Sequence, residues 1–418
     1  MLKPRSIAIL ALVASILGLT FAAYSTYDYA EHLDRQIHAI HCSFIPGASA
    51  SDEADNPCKT ALFSPYSAIY RASYWGGVPI SLFALGAFSF FAGFAAYLLV
   101  ASERAPRRAL LFLGVLGVTP LLASLVMFFI SLTRLHTFCR VCVGIYASSA
   151  LLGAAAVMAL MVHARRARGD VDRRVDPRGE TEIASAPAGS PLLPVGWAAA
   201  LGFCAVLPAL VYVAALPDYR PFLASCGKLA VATEPHSALL KIPTARAVQP
   251  VTLFEDPLCP SCKAFHERLV DEGVFDKLDV TLVMFPLDDE KDCNWMVDRA
   301  LHPGACLLSR AVLCGGNERA RAILEWSFDN QDDLRELGQK NVSALEKKIG
   351  ERWGKDVVSC AQDRATVIRL QRNLHYAANN HIPVSTPQMF LGDKRICDED
   401  TDLGLKYTLA QLAPEVLK

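Results

Sequence analysis

Long stretches of this chain lack charge altogether. Asp, Glu, Lys and Arg are absent from Ser6–Tyr27, Gly77–Ser102, Ala109–Thr133, Val141–Ala164 and Pro191–Pro217. About 20 apolar residues cross a hydrocarbon core of roughly 30 Å, and a charge at mid-depth costs roughly 2.5–3.5 kcal/mol. Each stretch therefore predicts a transmembrane helix. The same absence argues against an ion transporter, because no span carries the ionisable residue expected along an ion path. No clear small-x-small cleavage site closes the first run, which is also longer than the apolar core of a signal peptide, so it reads as a helix. Internal repeats are not visible. The formal charge of −1 gives no basic field for a nucleic-acid partner. What the chain has in excess is apolar residues, 52% over 418 positions. Pro120 and Pro208 fall inside spans and predict kinks, since neighbouring helices re-satisfy the freed carbonyls.

Basic residues set the orientation. Lys3, Arg5, Arg104, Arg107, Arg108 and the run from Arg165 to Arg178 share one side, whereas the opposite loops hold only Arg35, Lys59, Arg71, Arg134 and Arg140. The first side is cytoplasmic by the positive-inside rule. Five crossings then put everything after Asp218 outside. Of the 13 cysteines, only Cys204 lies mid-membrane, where it reads as a small apolar core residue. The others face an oxidising compartment, in which disulfides persist.

The expected organisation is a four-helix membrane unit (1–164), a charged and then Ala/Pro/Gly/Ser-rich cytoplasmic linker (165–190), a fifth helix (191–217) and an outer domain (218–418). In the first outer loop, Tyr29, Leu33, Ile37 and Ile40 recur at helical spacing, which suits either a lid on the membrane surface or an extension of helix one. The outer domain reads as βαβ, a helical insertion from about Trp295 to Asn379, then ββα. Its strands are Val251–Phe254 and Asp279–Leu287, with a hairpin in VSTPQMFLGDKRI and a closing helix over Leu403–Val416.

Cys259-Pro260-Ser261-Cys262 ends a strand and opens a helix. The free amides of a helix N-terminus lower the pKa of the first sulfur and make it the attacking thiolate, and the second cysteine resolves the mixed disulfide. A zinc site would need four ligands, and no second CxxC or HxxxH lies in this domain, so no metal is expected. Cys226, Cys293, Cys306, Cys314, Cys360 and Cys397 form an even set that predicts three structural disulfides, of fifteen possible pairings. His41, His136, His266 and His381 flank these segments and are expected as surface or packing histidines. With its CxxC after a strand and Thr386-Pro387 matching the family's cis-proline, this domain resembles the thioredoxin superfamily in its DsbA-like branch. That resemblance implies that Thr386 and Pro387 bind an extended substrate peptide. The Pro-Ser dipeptide departs from the Pro-His of the most oxidising members, so a histidine supporting the thiolate is missing there.

Cys139-Arg140-Val141-Cys142 stands where helix four begins on the outer face, again at a helix N-terminus and within reach of a lipid-soluble molecule. A zinc knuckle there would lack companion ligands, and a structural disulfide would not explain a place at the mouth of a membrane segment. The four-helix unit resembles the vitamin K epoxide reductase family: the CxxC matches, Tyr146 follows four residues later, Cys42 and Cys58 fall at the two loop cysteines, and Ser64 lies six residues after the second. GVP (Gly77–Pro79) is similar to the start of helix two in bacterial members, and RASYWG before it looks like an insertion. Bacterial members carry a thioredoxin-like domain after a fifth helix, which is the layout here.

The resemblance implies a membrane thiol:quinone oxidoreductase in the bacterial cytoplasmic membrane, with its C-terminal domain in the periplasm. Dithiols of exported proteins would reduce Cys259–Cys262, which would reduce Cys42–Cys58. Cys139 and Cys142 would then pass electrons to ubiquinone or menaquinone held by Ser64 and Tyr146. The alternatives are a reductase or isomerase using the same relay, and a membrane-anchored thioredoxin-like chaperone or assembly factor. Four surplus helices and two extra cysteine pairs argue against mere anchoring.

Overall fold

The computed structural model describes residues 4–34, 40–44, 57–135, 137–175, 190 and 192–418, and divides into two compact units. The first comprises Met1–Tyr70 and Val78–Leu216, the second Arg71–Gly77 and Pro217–Lys418.

In the first unit, α1 (Pro4–Glu31) runs four residues past its uncharged stretch and closes in a short 3-10 turn. The loop therefore starts as an extension of helix one; Ile37 lies outside the described residues. Next come α2 (Pro57–Phe63), the short pair β1 (Ala68–Ile69) and β2 (Val78–Pro79), and α3 (Ser81–Ala101). The third span is broken. Its α4 (Arg107–Leu116) and α5 (Thr119–Ile130) meet where Pro120 sits in the first turn of α5, a position that needs no N–H, and a π-helical turn follows at Ser131–Leu135. Then α6 (Arg140–Val175) continues eleven residues beyond the uncharged stretch into the expected linker, of which 176–189 lie outside the described residues. The fifth span is α7 (Leu193–Ala215), with Pro208 inside it. All five spans are long and apolar enough to cross a membrane.

Small residues hold these helices together. Ile7, Ala8, Ala11 and Ala14 share one face of α1 and pack in a core with Phe88, Phe91 and Ala95 of α3 and Leu152, Ala155 and Ala159 of α6. In lipid there is little hydrophobic drive between helices, so close backbone approach and dispersion carry the association. Gly86 shows how close: a Cβ there would stand 2.0 Å from the Cys204 carbonyl oxygen on α7. Cys204 is half-buried and free.

The second unit is a five-stranded sheet with helices around it. Its strands are β3 (Leu240–Ile242), β4 (Gln249–Glu255), β5 (Leu278–Met284), β6 (Gln388–Leu391) and β7 (Lys394–Arg395), in the order β3-β5-β4-β6-β7. β4 pairs parallel with β5, which requires the crossover helix α8 (Pro260–Asp271), and the other pairings are antiparallel. From Val251 to Glu255 β4 is buried at every position, as a central strand covered on both faces must be. Phe254 stacks on Tyr376 and meets Phe390 edge-on; burying such a ring contributes about 2–3 kcal/mol.

Between β5 and β6 lie α9 (Ala305–Cys314), α10 (Gly316–Asp329), α11 (Gln331–Lys340), α12 (Val342–Trp353), α13 (Lys355–Gln362) and α14 (Arg364–Asn379), and α15 (Leu405–Leu412) closes the unit. The helical insertion thus begins at Ala305, about ten residues later than its composition suggests, because 285–304 is irregular chain fastened by Asp256 and Asp288. Asp256 accepts the Leu287 N–H, and Asp288 the Gly304 and Cys306 N–H groups. The stretch RASYWG (Arg71–Gly76), expected as an insertion, is built into this unit together with Gly77. Arg71 is buried and paired with Glu272, which Lys406 also contacts, and buried Trp75 donates to Asp400.

Candidate functional site

Cys259 is the N-cap of α8. Its carbonyl accepts the Lys263 N–H at 3.1 Å as the first helical bond, and its sulfur lies 3.5 Å from the Thr386 carbonyl oxygen. The Thr386–Pro387 bond, immediately before β6, is cis. Gln331 of α11 reaches from the insertion and donates to the carbonyls of Pro257 and Cys259, bracing the turn. Cys262 is wholly buried one turn into α8 and receives the Asp256 N–H at 3.4 Å.

The two sulfurs differ as attacker and resolver should. A hydrogen bond from Cys262 holds Cys259 down at about 7, helped by the Thr386 contact, although burial and the Asp256 charge push upward. Burial, the bond to Cys259 and the charges of Cys259, Glu255 and Asp256 push Cys262 well up. Cys259 is therefore partly thiolate near neutrality, and Cys262 stays a thiol until a mixed disulfide forms.

In the membrane unit, Cys139 immediately precedes α6 and accepts the Cys142 N–H at 3.2 Å. Cys139 and Cys142 are free, and Cys42 is bonded to Cys58. Arg140, between the two free thiols, donates to the Cys42 carbonyl at 3.5 Å, and α2, which carries Cys58, packs on α6. Ser64 is buried just after α2, and its hydroxyl donates to the Ala61 carbonyl at 2.9 Å. Tyr146 lies one turn beyond Cys142, half-buried and edge-on to Phe128 of α5. Its hydroxyl has no protein partner among the described residues.

The remaining outer cysteines pair as Cys226–Cys397, Cys293–Cys306 and Cys314–Cys360. Among the described residues, two clusters gather three possible metal ligands, Cys226/Cys397/Glu399 and Asp288/Glu290/Cys306. Every sulfur in them is in a disulfide, so neither offers a thiolate.

Several polar residues beside these sulfurs have no sequence signal. Buried Asp28 at the end of α1 fixes the loop cysteine's neighbour, accepting the His41 N–H at 3.1 Å and holding the His41 ring at 2.5 Å. His302 pairs with Asp256 at 2.8 Å. His266, expected as a surface or packing residue, is buried between Glu255 and Glu325. His381 is exposed, and His136 lies outside the described residues.

A free dithiol at the head of a membrane-length helix, a disulfide-bonded loop beside it and a thioredoxin-like CxxC define a membrane thiol–disulfide oxidoreductase. Residues 9–157 match the sequence model of the Vitamin K epoxide reductase family. The match lies within the membrane unit but for Arg71–Gly77, and leaves Pro217–Lys418, with its own CxxC, outside it. Solved structures similar to part of the chain include reduced DsbA1 from Neisseria meningitidis, 19% identical over 46% of this chain and 94% of that one, TM-score 0.33. Another is ScsC of Proteus mirabilis in a compact conformation, 22% identical over 45% and 78%, TM-score 0.29. No curated protein matches the chain.

Proposed function

We propose that this protein makes disulfides in exported proteins and passes the electrons to a membrane quinone, ubiquinone or menaquinone. The carrying observation is the free Cys139/Cys142 pair at the head of α6, with the Cys42–Cys58 disulfide held beside it through Arg140.

In this reading a client's two thiols become a disulfide as Cys259–Cys262 is reduced. The Cys259 thiolate then attacks Cys42, Cys58 leaves as a thiolate, and Cys262 loses its proton, attacks Cys259 and releases Cys42. Each exchange forms one S–S bond and breaks one, moving two electrons. Reduced Cys58 attacks the oxidised Cys139–Cys142 pair in the same manner, ending with that pair as two thiols. A quinone, when bound, accepts two electrons and two protons and restores the pair to a disulfide. The residues fit such a group: the unpartnered Tyr146 hydroxyl supplies a donor for a carbonyl oxygen beside Cys142, and Phe128 an apolar wall. Ser64 would contribute only lone pairs, because its proton is committed to Ala61. Thr386 and Pro387 would receive the client segment next to Cys259. Cys226, Cys293, Cys306, Cys314, Cys360 and Cys397 would be structural. The working side would be the periplasm and the membrane the bacterial cytoplasmic one.

Reverse traffic, reduction or isomerisation of client disulfides, is favoured by one observation. Cys259 near 7 resembles the value of about 7 typical of a reducing thioredoxin more than the ~3.5 of a strong oxidant. The potential of the Cys259–Cys262 couple separates the two directions: near −120 mV supports oxidation, near −270 mV reduction. Quinone reduction driven by a dithiol peptide tests the relay itself.

A further inference from the structure

The dipeptide between the outer cysteines, Pro260-Ser261, holds no histidine to support a thiolate. Folding brings one from elsewhere. His302 stands just before α9 and directs Nδ1 to Asp256 Oδ2, 2.8 Å away and 46 residues back in the chain. Its backbone is fixed as well: the N–H donates to the Leu287 carbonyl at 3.0 Å, and the carbonyl accepts the Ala305 N–H at 3.0 Å. Asp256 is wholly buried and accepts the N–H groups of Leu258 and Leu287, both at 2.7 Å, while its own N–H points to the Cys262 sulfur at 3.4 Å.

That placement sets up a conflict. A buried carboxylate lies beside two sulfurs, one of which must itself become negative, and its charge raises both thiols. A cation on Asp256 resolves it. Burial disfavours an imidazolium, yet the bond and charge of Asp256, together with the charge of Cys259, keep the His302 proton on above its ordinary value, and Arg335 of α11 acts against this.

We propose that His302 is the positioning residue of the outer dithiol: its imidazolium neutralises Asp256 and lets Cys259 stand as a thiolate, filling the part that the Pro-Ser dipeptide leaves vacant. The proposal rests on the reading of Cys259–Cys262 as the client-facing dithiol, and adds what sets its oxidising strength. A better stabilised Cys259 thiolate is a better leaving group, which makes the Cys259–Cys262 disulfide a stronger oxidant.

The test uses the full chain in detergent with Cys259–Cys262 reduced. Iodoacetamide labelling of Cys259 is followed against pH by peptide mass spectrometry. His302→Asn keeps a donor for Asp256 and removes the charge, so its labelling midpoint should rise by roughly one unit, a tenfold fall in thiolate below the midpoint. Asp256→Asn should lower the midpoint, and in that background His302→Asn should have little effect. A merely structural His302 leaves the midpoint in place. As a check that needs no variant, the His302 ring titration followed by NMR should move down when Cys259 is alkylated. An unmoved midpoint in His302→Asn, a shift that persists undiminished beside Asp256→Asn, or a His302 titration indifferent to alkylation overturns the proposal. Quinone takes no part in these readouts, so their failure leaves the relay standing, and a failed quinone assay leaves them intact.

Discussion

His266 offers a quantitative forecast. It is buried one turn beyond Cys262 on α8, between the rings of Phe275 and Phe328, with Nδ1 3.9 Å from the buried Glu255 carboxylate and Nε2 3.2 Å from Glu325. Burial opposes its charge, but the buried Glu255 carboxylate nearby and the bond and charge of Glu325 prevail and raise it from 6.5 to about 9. In turn the His266 bond, with help from Arg321 and against burial, holds Glu325 down at about 2. The rise at His266 corresponds to about 3 kcal/mol of folding free energy. Because the folded-state value lies above the unfolded one, this stabilisation is fully present below about pH 6.5 and is lost as pH climbs through about 9. The perturbation is His266→Gln, which keeps a donor toward Glu325 and leaves Glu255 without a cation. Urea unfolding of the outer unit in the full chain, followed at several pH values, should show the variant weaker by about 3 kcal/mol at pH 6, with the deficit shrinking steadily toward pH 9.5. A deficit independent of pH, or a His266 ring titration by NMR centred near 6.5, refutes the reasoning.

Further expectations are as direct. Replacing both cysteines of Cys226–Cys397, which are 171 residues apart, should destabilise the outer unit by about 5 kcal/mol, against about 3 kcal/mol for Cys293–Cys306, 13 apart, in calorimetry of the two double-serine variants. Gly86→Val should cost about 1–3 kcal/mol or separate α3 from α7, whereas Gly93→Ala, with nothing within 4 Å, should be nearly neutral by thermal unfolding in detergent. Tyr146→Phe retains the ring against Phe128 and removes the hydroxyl, so quinone KM should rise roughly tenfold with unchanged unfolding temperature, as expected for about 1.4 kcal/mol of lost hydrogen bonding.

The features that were legible in the sequence are those whose physics is local. Uncharged runs of membrane length announce their helices, and a CxxC at the start of a helix announces a reactive sulfur because the free amides lie within the next turn. The strand β4 and its following turn were readable for the same reason, since the strand-forming run Val251-Thr252-Leu253-Phe254 ends at Glu255-Asp256-Pro257. β3 was not, being a three-residue edge strand defined by its antiparallel pairing to β5. The break in the third span was foreshadowed by Pro120, but the π-helical turn after it had no sequence mark. Disulfide partners could only be counted, because Cys314 and Cys360 meet through the packing of α9 on α13. The polar groups that tune the sulfurs were hidden most completely. Gln331, His302 and Glu325 come from segments that only folding brings near the dithiol, His302 from the irregular chain before α9 and the other two from the helical insertion.

The most direct measurement is quinone reduction by the purified full chain supplied with a reduced dithiol peptide, compared with its Cys142→Ala variant. Steady, peptide-dependent reduction by the native chain, abolished in the variant, is the predicted result. Equal and slow rates in both would contradict electron flow through the dithiol at the head of α6.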